Sequence, residues 1–171
     1  MALNSYVSTT GAEIGYAQAV QAWAAGGSPQ AEMNPILLKP QGDQTSQVIL
    51  KGRPIGTTTA AKYYEDFFDA GWQAIQESLA RLSQEFDLLI CEGAGSPAEI
   101  NLKHRDLANM RIASYLKAPT ILIADIDRGG VFAHIVGTLE LLEPEERALI
   151  KGIVINKFRG QQSILQPGIE W

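Results

Sequence analysis

Residues 87–95 read Asp-Leu-Leu-Ile-Cys-Glu-Gly-Ala-Gly. The run Leu88–Cys91 is short, apolar and uninterrupted, a pattern that fits a strand buried on both faces of a parallel sheet. Glu92 then stands where that strand should end, and Gly93 and Gly95 let the backbone turn sharply. Ligands of open α/β sheets bind at the carboxyl ends of strands. A carboxylate followed by a Gly-rich turn at such an end is a site signal, although a strand closing on a surface Glu produces the same letters.

Working outward, further strands with polar ends flank this one. Thr120–Ala124 follows Pro119 and runs into Asp125-Ile126-Asp127-Arg128-Gly129-Gly130, and Ile153–Ile155 ends at Asn156-Lys157. Between them, residues 106–116 and 131–142 carry helical spacing, with Asp106 placed to cap the first. Before them, Tyr64, Phe68, Gly71, Ile75, Leu79, Leu82 and Phe86 form one apolar stripe, a helix from about residue 60 to 85 with Thr57–Thr59 as its cap. The alternation from 60 to 157 predicts βαβ units. The expected fold is α/β, a three-layer, mostly parallel sheet flanked by helices, in one domain over 1–171.

The N-terminal third is less regular. Residues 1–11 read as a polar loop, and the Ala-rich residues 12–25 as a helix ended by Gly26-Gly27, with Glu13 in its first turn, where a carboxylate favours the helix dipole. Ile36–Leu38 and Val48–Leu50 are short extended segments able to pair with each other, and the tail 158–171, with Pro167-Gly168, reads as irregular.

Composition bounds the function. The 171 residues are 46% hydrophobic and 19% charged with a net charge of −5, ordinary for a globular domain and contrary to a nucleic-acid footprint. The single cysteine, Cys91, excludes a disulfide scaffold and fits a reducing, cytoplasmic compartment. No apolar run approaches the roughly 18 residues of a membrane span, and no basic segment with an apolar core opens the chain, so neither membrane nor signal peptide is expected. His104 and His134 lack metal-ligand spacing and are read as non-functional.

Acidic strand ends beside Gly-rich turns suit Mg²⁺ on phosphates, because Mg²⁺ takes one or two carboxylates from protein and completes its shell with water and phosphate oxygens. Asn156-Lys157 resembles the base-reading corner of P-loop nucleotide binders. The phosphate loop G-x-x-x-x-G-K-[ST] has no counterpart, since no Gly-Lys dipeptide occurs. The sequence thus reads as a P-loop NTPase-like domain truncated at its N-terminus.

Five segments carry a more specific resemblance: Met-Ala-Leu-Asn-Ser-Tyr-Val (1–7), Met-Asn-Pro-Ile-Leu-Leu-Lys-Pro (33–40), Glu-Gly-Ala-Gly-Ser-Pro-Ala-Glu-Ile-Asn-Leu (92–102), Ala-Asp-Ile-Asp-Arg-Gly-Gly-Val-Phe-Ala (124–133) and Asn-Lys-Phe-Arg-Gly (156–160). Together they resemble the glutamine-hydrolysing cobyric acid synthase family of the dethiobiotin synthetase-like P-loop group. The resemblance implies ATP-dependent amidation of peripheral carboxylates of adenosylcobyrinic acid a,c-diamide in cobalamin biosynthesis. It implies Glu92 and Glu13 as Mg²⁺ ligands, and Asn156 and Lys157 as adenine contacts with Asp125 and Asp127 near the phosphates. Asn4 and Ser5 would border the corrinoid or phosphate side, and Asp106 would face the substrate carboxylate or order its own loop. The partners implied are the corrinoid, ATP and a glutaminase domain or subunit as ammonia source. Cys91, in an expected buried strand beside Glu92, would resist forming the thiolate that a glutaminase needs.

Two positions depart from the family pattern, with Tyr16 in place of the usual Arg and Gln161 in place of the usual Asp. A truncated relative that is inactive or only binds, and a MinD-like partitioning ATPase, share the same fold. The second needs a basic amphipathic membrane helix, and no such stretch is read. A sheet without its central strand would leave open edges, so self-association is expected.

Overall fold

The turn Lys51-Gly52 sets the architecture of the first half of the chain. Both residues have positive φ, 47° and 76°, the signature of a two-residue type I′ hairpin turn. It joins β4 (Thr45–Leu50) to β5 (Arg53–Thr59), and β3 (Ile36–Gly42) pairs on the other side of β4, all antiparallel. In this computed structural model residues 4–42, 45–59, 62–63, 66–93 and 95–171 are described. Met1–Leu3 of the first resemblance segment, Tyr64 of the apolar stripe and Ala94 of the Gly-rich turn lie outside the described residues.

The chain divides into two units, Met1–Cys91 and Glu92–Trp171. In the first, the expected pairing of Ile36–Leu38 with Val48–Leu50 is present in register, Ile36↔Leu50 to Leu38↔Val48. Of Thr57–Thr59, Thr59 stands at a helical start as expected, its hydroxyl accepting from the Lys62 N–H at 3.4 Å ahead of the helical residues 62–63. The three threonines also close strand β5, where β-branched residues gain a ladder partner in β4. The long helix α2 runs from Phe68 to Glu85, preceded by the helical residues 62–63, with the Phe67 N–H donating to the Tyr63 carbonyl at 3.0 Å. Its buried face, including Gly71, Ile75, Leu79 and Leu82, is the stripe the spacing marks, and it packs against β3 and the 3-10 turn Ala31–Met33.

Two N-terminal expectations are corrected. Residues Ser5–Val7 are a strand, β1, and Glu13–Gly15 are a second, β2, paired antiparallel with Ser5 opposite Gly15 and Val7 opposite Glu13. Helix α1 begins only at Tyr16 and ends at Ala24. Glu13 therefore sits on a strand, not in a helix's first turn. The reason is a backbone ladder: the Glu13 N–H donates to Gly52 O at 2.9 Å, and the Ser8–Ala12 turn closes with Ser8 N–H on Ala12 O at 2.8 Å.

The second unit holds the parallel element. Strand β6 (Thr120–Asp125) pairs in parallel with β7 (Ile150–Asn156), and α4 (Val131–Leu141) packs on β6. Short helix α5 (Pro144–Arg147) starts with a capping box between Glu143 and Glu146. Helix α3 (Met110–Leu116) contributes Met110 and Ala113 to a core with Leu142, flanked by Leu149 and Ile150. The α/β reading of this half stands. Its tail, however, is a helix, α6 (Gln162–Glu170), despite Pro167 within it.

The segment Leu88–Cys91 is not a strand among the described residues. Leu88 is 76% and Ile90 90% exposed, and Cys91 is exposed as well. An apolar run specifies a buried strand only where both its backbone edges find partners, and no described strand pairs with this one. Strand β6 also departs from full burial, with Ile121 at 60% and Ile123 at 64% exposure.

Candidate functional site

In the second unit the register of β6 and β7 places Asp125 opposite Asn156, at the carboxyl ends of both strands. The chain then turns at each end, with the Asp127 N–H donating to Asp125 Oδ1 at 2.9 Å and the Lys157 N–H to Asn156 Oδ1 at 2.9 Å. Lys157 takes a left-handed conformation, φ 63°. Two ion pairs bridge the strand ends: Lys157 Nζ to Asp125 Oδ2 at 2.7 Å, and an Arg159 guanidinium nitrogen to Asp127 Oδ1 at 2.6 Å. Arg128, the neighbouring cation in sequence, is not the partner of either pair. Asp125, Asp127, Asn156 and Lys157 are thus gathered on one edge, together with Arg159, which the sequence reading did not single out.

These contacts set the protonation. Hydrogen bonds from Lys157 and from the Asp127 N–H, with the Lys157 charge, hold the Asp125 carboxyl below its usual value. The hydrogen bond to Asp125 and its charge hold the Lys157 ammonium above its own. The signs fix the window. A depressed carboxyl contributes above its unfolded pKa and is lost as pH falls through its folded value. A raised ammonium contributes below its unfolded pKa and is lost as pH rises through its folded value. The pair is therefore intact across the neutral range. In a carboxyl-carbon NMR titration, Lys157→Ala is expected to move the Asp125 midpoint up towards that of a free aspartate; an unmoved midpoint contradicts the pairing.

Asp106 lies in the same unit but does not join that edge. Its carboxylate accepts from the Ala108 N–H at 2.9 Å and from the Asn109 N–H at 3.1 Å, ordering the turn that leads into α3. The Arg111 Nε–H donates to the Asp106 carbonyl at 2.7 Å. Around it opens a cleft of 470 Å³, lined among others by Pro97, Lys103, His104, Arg111 and Glu146. Lys103 is fixed there by Glu146 at 2.9 Å and Glu143 at 3.1 Å. Glu92 is exposed, on irregular backbone at the start of this unit. A side chain at Gly93 would lie 2.7 Å from Asn109 Cγ and 3.0 Å from the Ala108 carbonyl oxygen, so the glycine lets this loop approach the Asp106 turn.

The first unit brings together Ser5 and Glu13. The Ser5 hydroxyl donates to Glu13 Oε1, and the Lys39 ammonium from β3 contacts the same oxygen. Asn4 joins through its backbone, its carbonyl accepting from the Tyr16 N–H at 3.2 Å. Burial pushes the Glu13 carboxyl up, but the Lys39 and Ser5 hydrogen bonds and the Lys39 charge outweigh it and hold the group below its usual value. Lys39 was missed as a site residue. Its only signal in sequence is a charge at the end of the apolar run Ile36–Leu38. The donors at this position, a carboxylate and a hydroxyl, are oxygen only, the chemistry a hard cation such as Mg²⁺ takes. Among the described residues no three His, Cys, Asp or Glu side chains converge as a metal cluster.

Comparison with known proteins adds the family. Residues 4–166 match a family model described as an AAA domain. Cobyric acid synthases from Trichormus variabilis and Nostoc punctiforme are each 74% identical to the chain over all its 171 residues, and that of Thermosynechococcus vestitus is 73% identical. The chain spans 35% of the length of these relatives. No solved structure matches it.

Proposed function

The chain belongs to the AAA domain family, and from that premise we propose that it is the carboxylate-activating part of an ATP-dependent amidoligase of the cobyric acid synthase kind. Its reaction would amidate peripheral carboxylates of adenosylcobyrinic acid a,c-diamide in cobalamin biosynthesis. The observation that carries this reading is the 74% identity to cobyric acid synthases over the whole chain. A corrinoid carboxylate attacks the γ-phosphorus of ATP to give an acyl phosphate and ADP. Ammonia, from a glutaminase domain or subunit acting on glutamine, then displaces phosphate to leave the amide.

Each group of residues has a part. Asn156 offers its amide to the adenine edge, with its Oδ1 already held by the Lys157 N–H. Lys157, Asp125 and Asp127 stand beside it on the phosphate side. Glu13 and Glu92 are each candidate ligands for Mg²⁺, which when bound would neutralise charge on the transferring phosphoryl group. Ser5 keeps Glu13 oriented, and Asn4 borders the corrinoid or phosphate side. Asp106, in its cleft, faces the substrate carboxylate. Exposed Ile121 and Ile123 favour self-association of the isolated chain.

The test is calorimetric titration with adenosylcobyrinic acid a,c-diamide. Saturable binding is expected, weakened several-fold by Asp106→Asn. No binding, or equal binding by the variant, removes Asp106 from the substrate side. Mg²⁺-dependent ATP turnover is expected at the background rate, because no phosphate-loop sequence occurs. A binding-only role is a second reading, favoured by the engagement of Glu13, Asp125 and Asp127 with Lys39, Lys157 and Arg159. Turnover clearly above background by the 171-residue chain would rule it out.

A further inference from the structure

Lys39 and Glu13 meet inside the first unit, from different strands. Their side chains are 30% and 19% exposed, more enclosed as a pair than Lys51–Glu77 or Arg81–Glu32 in the same unit, each of which has a partner that is well exposed. Position and company also differ. Lys39 comes from β3, an edge strand of the three-stranded sheet, and reaches a carboxylate oxygen that already accepts the Ser5 hydroxyl. The same carboxylate is where the proposed function puts a divalent cation. An ammonium and a divalent cation on one carboxylate repel each other at short range, in a setting partly shielded from water.

We infer that Lys39 is the resident counter-cation of the Glu13 site, and that a divalent cation takes Glu13 only by displacing the Lys39 ammonium. This rests on the reading of Glu13 as a metal ligand. In the metal-free chain Lys39 keeps a half-buried carboxylate ionised and, with Ser5, in place. On metal entry the ammonium leaves Glu13 Oε1 but stays tethered to β3, so a positive charge remains beside the incoming cation for the anionic group that accompanies it, a phosphate. No bond is made or broken. One cation replaces another on the carboxylate, and the positive charge of the pocket rises with metal occupancy.

The experiment uses the 171-residue chain and Mn²⁺ alone, with free Mn²⁺ counted by electron paramagnetic resonance. Lys39→Met should tighten Mn²⁺ binding roughly tenfold, the scale of one lost competing charge contact. Lys39→Arg, which keeps the charge, should bind as the unaltered chain does. Glu13→Gln should abolish the gain when combined with Lys39→Met. If Glu13→Gln weakens Mn²⁺ binding while Lys39→Met leaves it equal or weaker, the counter-cation role is overturned and the metal reading of Glu13 survives. If Glu13→Gln changes nothing in either background, the metal reading itself falls. A second measurement needs no core variant. With Mg²⁺ added to chain labelled at lysine and glutamate, the Lys39 ammonium resonance should shift together with the Glu13 carboxyl. A carboxyl shift without an ammonium shift overturns the inference.

Discussion

Replacing Ile49 with alanine is expected to lower the unfolding free energy of the first unit by about 2–5 kcal/mol, the range for truncating a fully buried aliphatic side chain. Ile49 is 1% exposed and lies on β4, the middle strand of its sheet, opposite Leu37 on β3 and Pro54 on β5. The register steps from Val48↔Gly56 to Ile49↔Pro54, so Ile55 is passed over as a bulge and Val48 and Ile49 are buried in succession. Flanked on both sides by paired strands, the sheet cannot collapse readily into the space a shortened side chain leaves. Ile55→Ala, on the bulge and half exposed, is the control, with a change within about 0.5 kcal/mol. Trp23 and Trp72 lie in this unit and Trp171 in the other, so fluorescence-detected urea unfolding in a Trp171→Phe background reports the first unit alone. Equal losses for Ile49 and Ile55 would show that the sheet's inner face is not a packed core.

Where each element was legible in the sequence follows from how far its signal reached. The helical stripe Gly71–Leu82 was readable because four buried positions recur at helical spacing over three turns. The polar ends of β6 and β7 were readable because each closes a run of apolar residues, and the structure brings Asp125, Asp127, Asn156 and Lys157 to one edge. Three failures have different causes. Strands of three residues, β1 and β2, carry too few letters for a period-2 pattern, and the ladder that makes them involves Gly52, far along the chain. The tail helix runs through Pro167 against local propensity. Gly168 packs so closely on Phe132 that a side chain there would lie 3.2 Å from its Cδ2, and Gln166 pairs with Glu170 at 3.0 Å. Leu88–Cys91 has the composition of a buried strand, but composition does not name a partner, and the segment has none among the described strands. Glu92 therefore keeps its place in the proposal through family resemblance, whereas Glu13 rests also on its contacts with Ser5 and Lys39.

Gly52→Ala is expected to cost about 3 kcal/mol or more, combining a strained left-handed residue with overpacking against the β1–β2 hairpin. Gly52 has φ 76° and is the second residue of the type I′ turn. A Cβ there would overlap the Ala12 side chain and lie 2.9 Å from Ala12 Cα and 3.1 Å from the Glu13 backbone nitrogen. Those atoms are backbone and cannot swing aside, so the hairpin must shift as a body. Gly11→Ala supplies the comparison: φ is 79°, yet nothing lies within 4 Å of its Cβ. Its cost should be about 1 kcal/mol, from strain alone. The difference between the two variants measures the close approach, and equal losses would show that the approach carries no energy. The consequence reaches the site, because Gly52 O accepts the Glu13 N–H at 2.9 Å. A hairpin pushed off Gly52 takes Glu13 away from Lys39, which stays on β3. Gly52→Ala should therefore shift the Lys39 ammonium resonance at a distance from any charge change, while Gly11→Ala leaves it in place. That pairing of results would tie the choice of glycine at a β-turn to the geometry of a carboxylate on another strand.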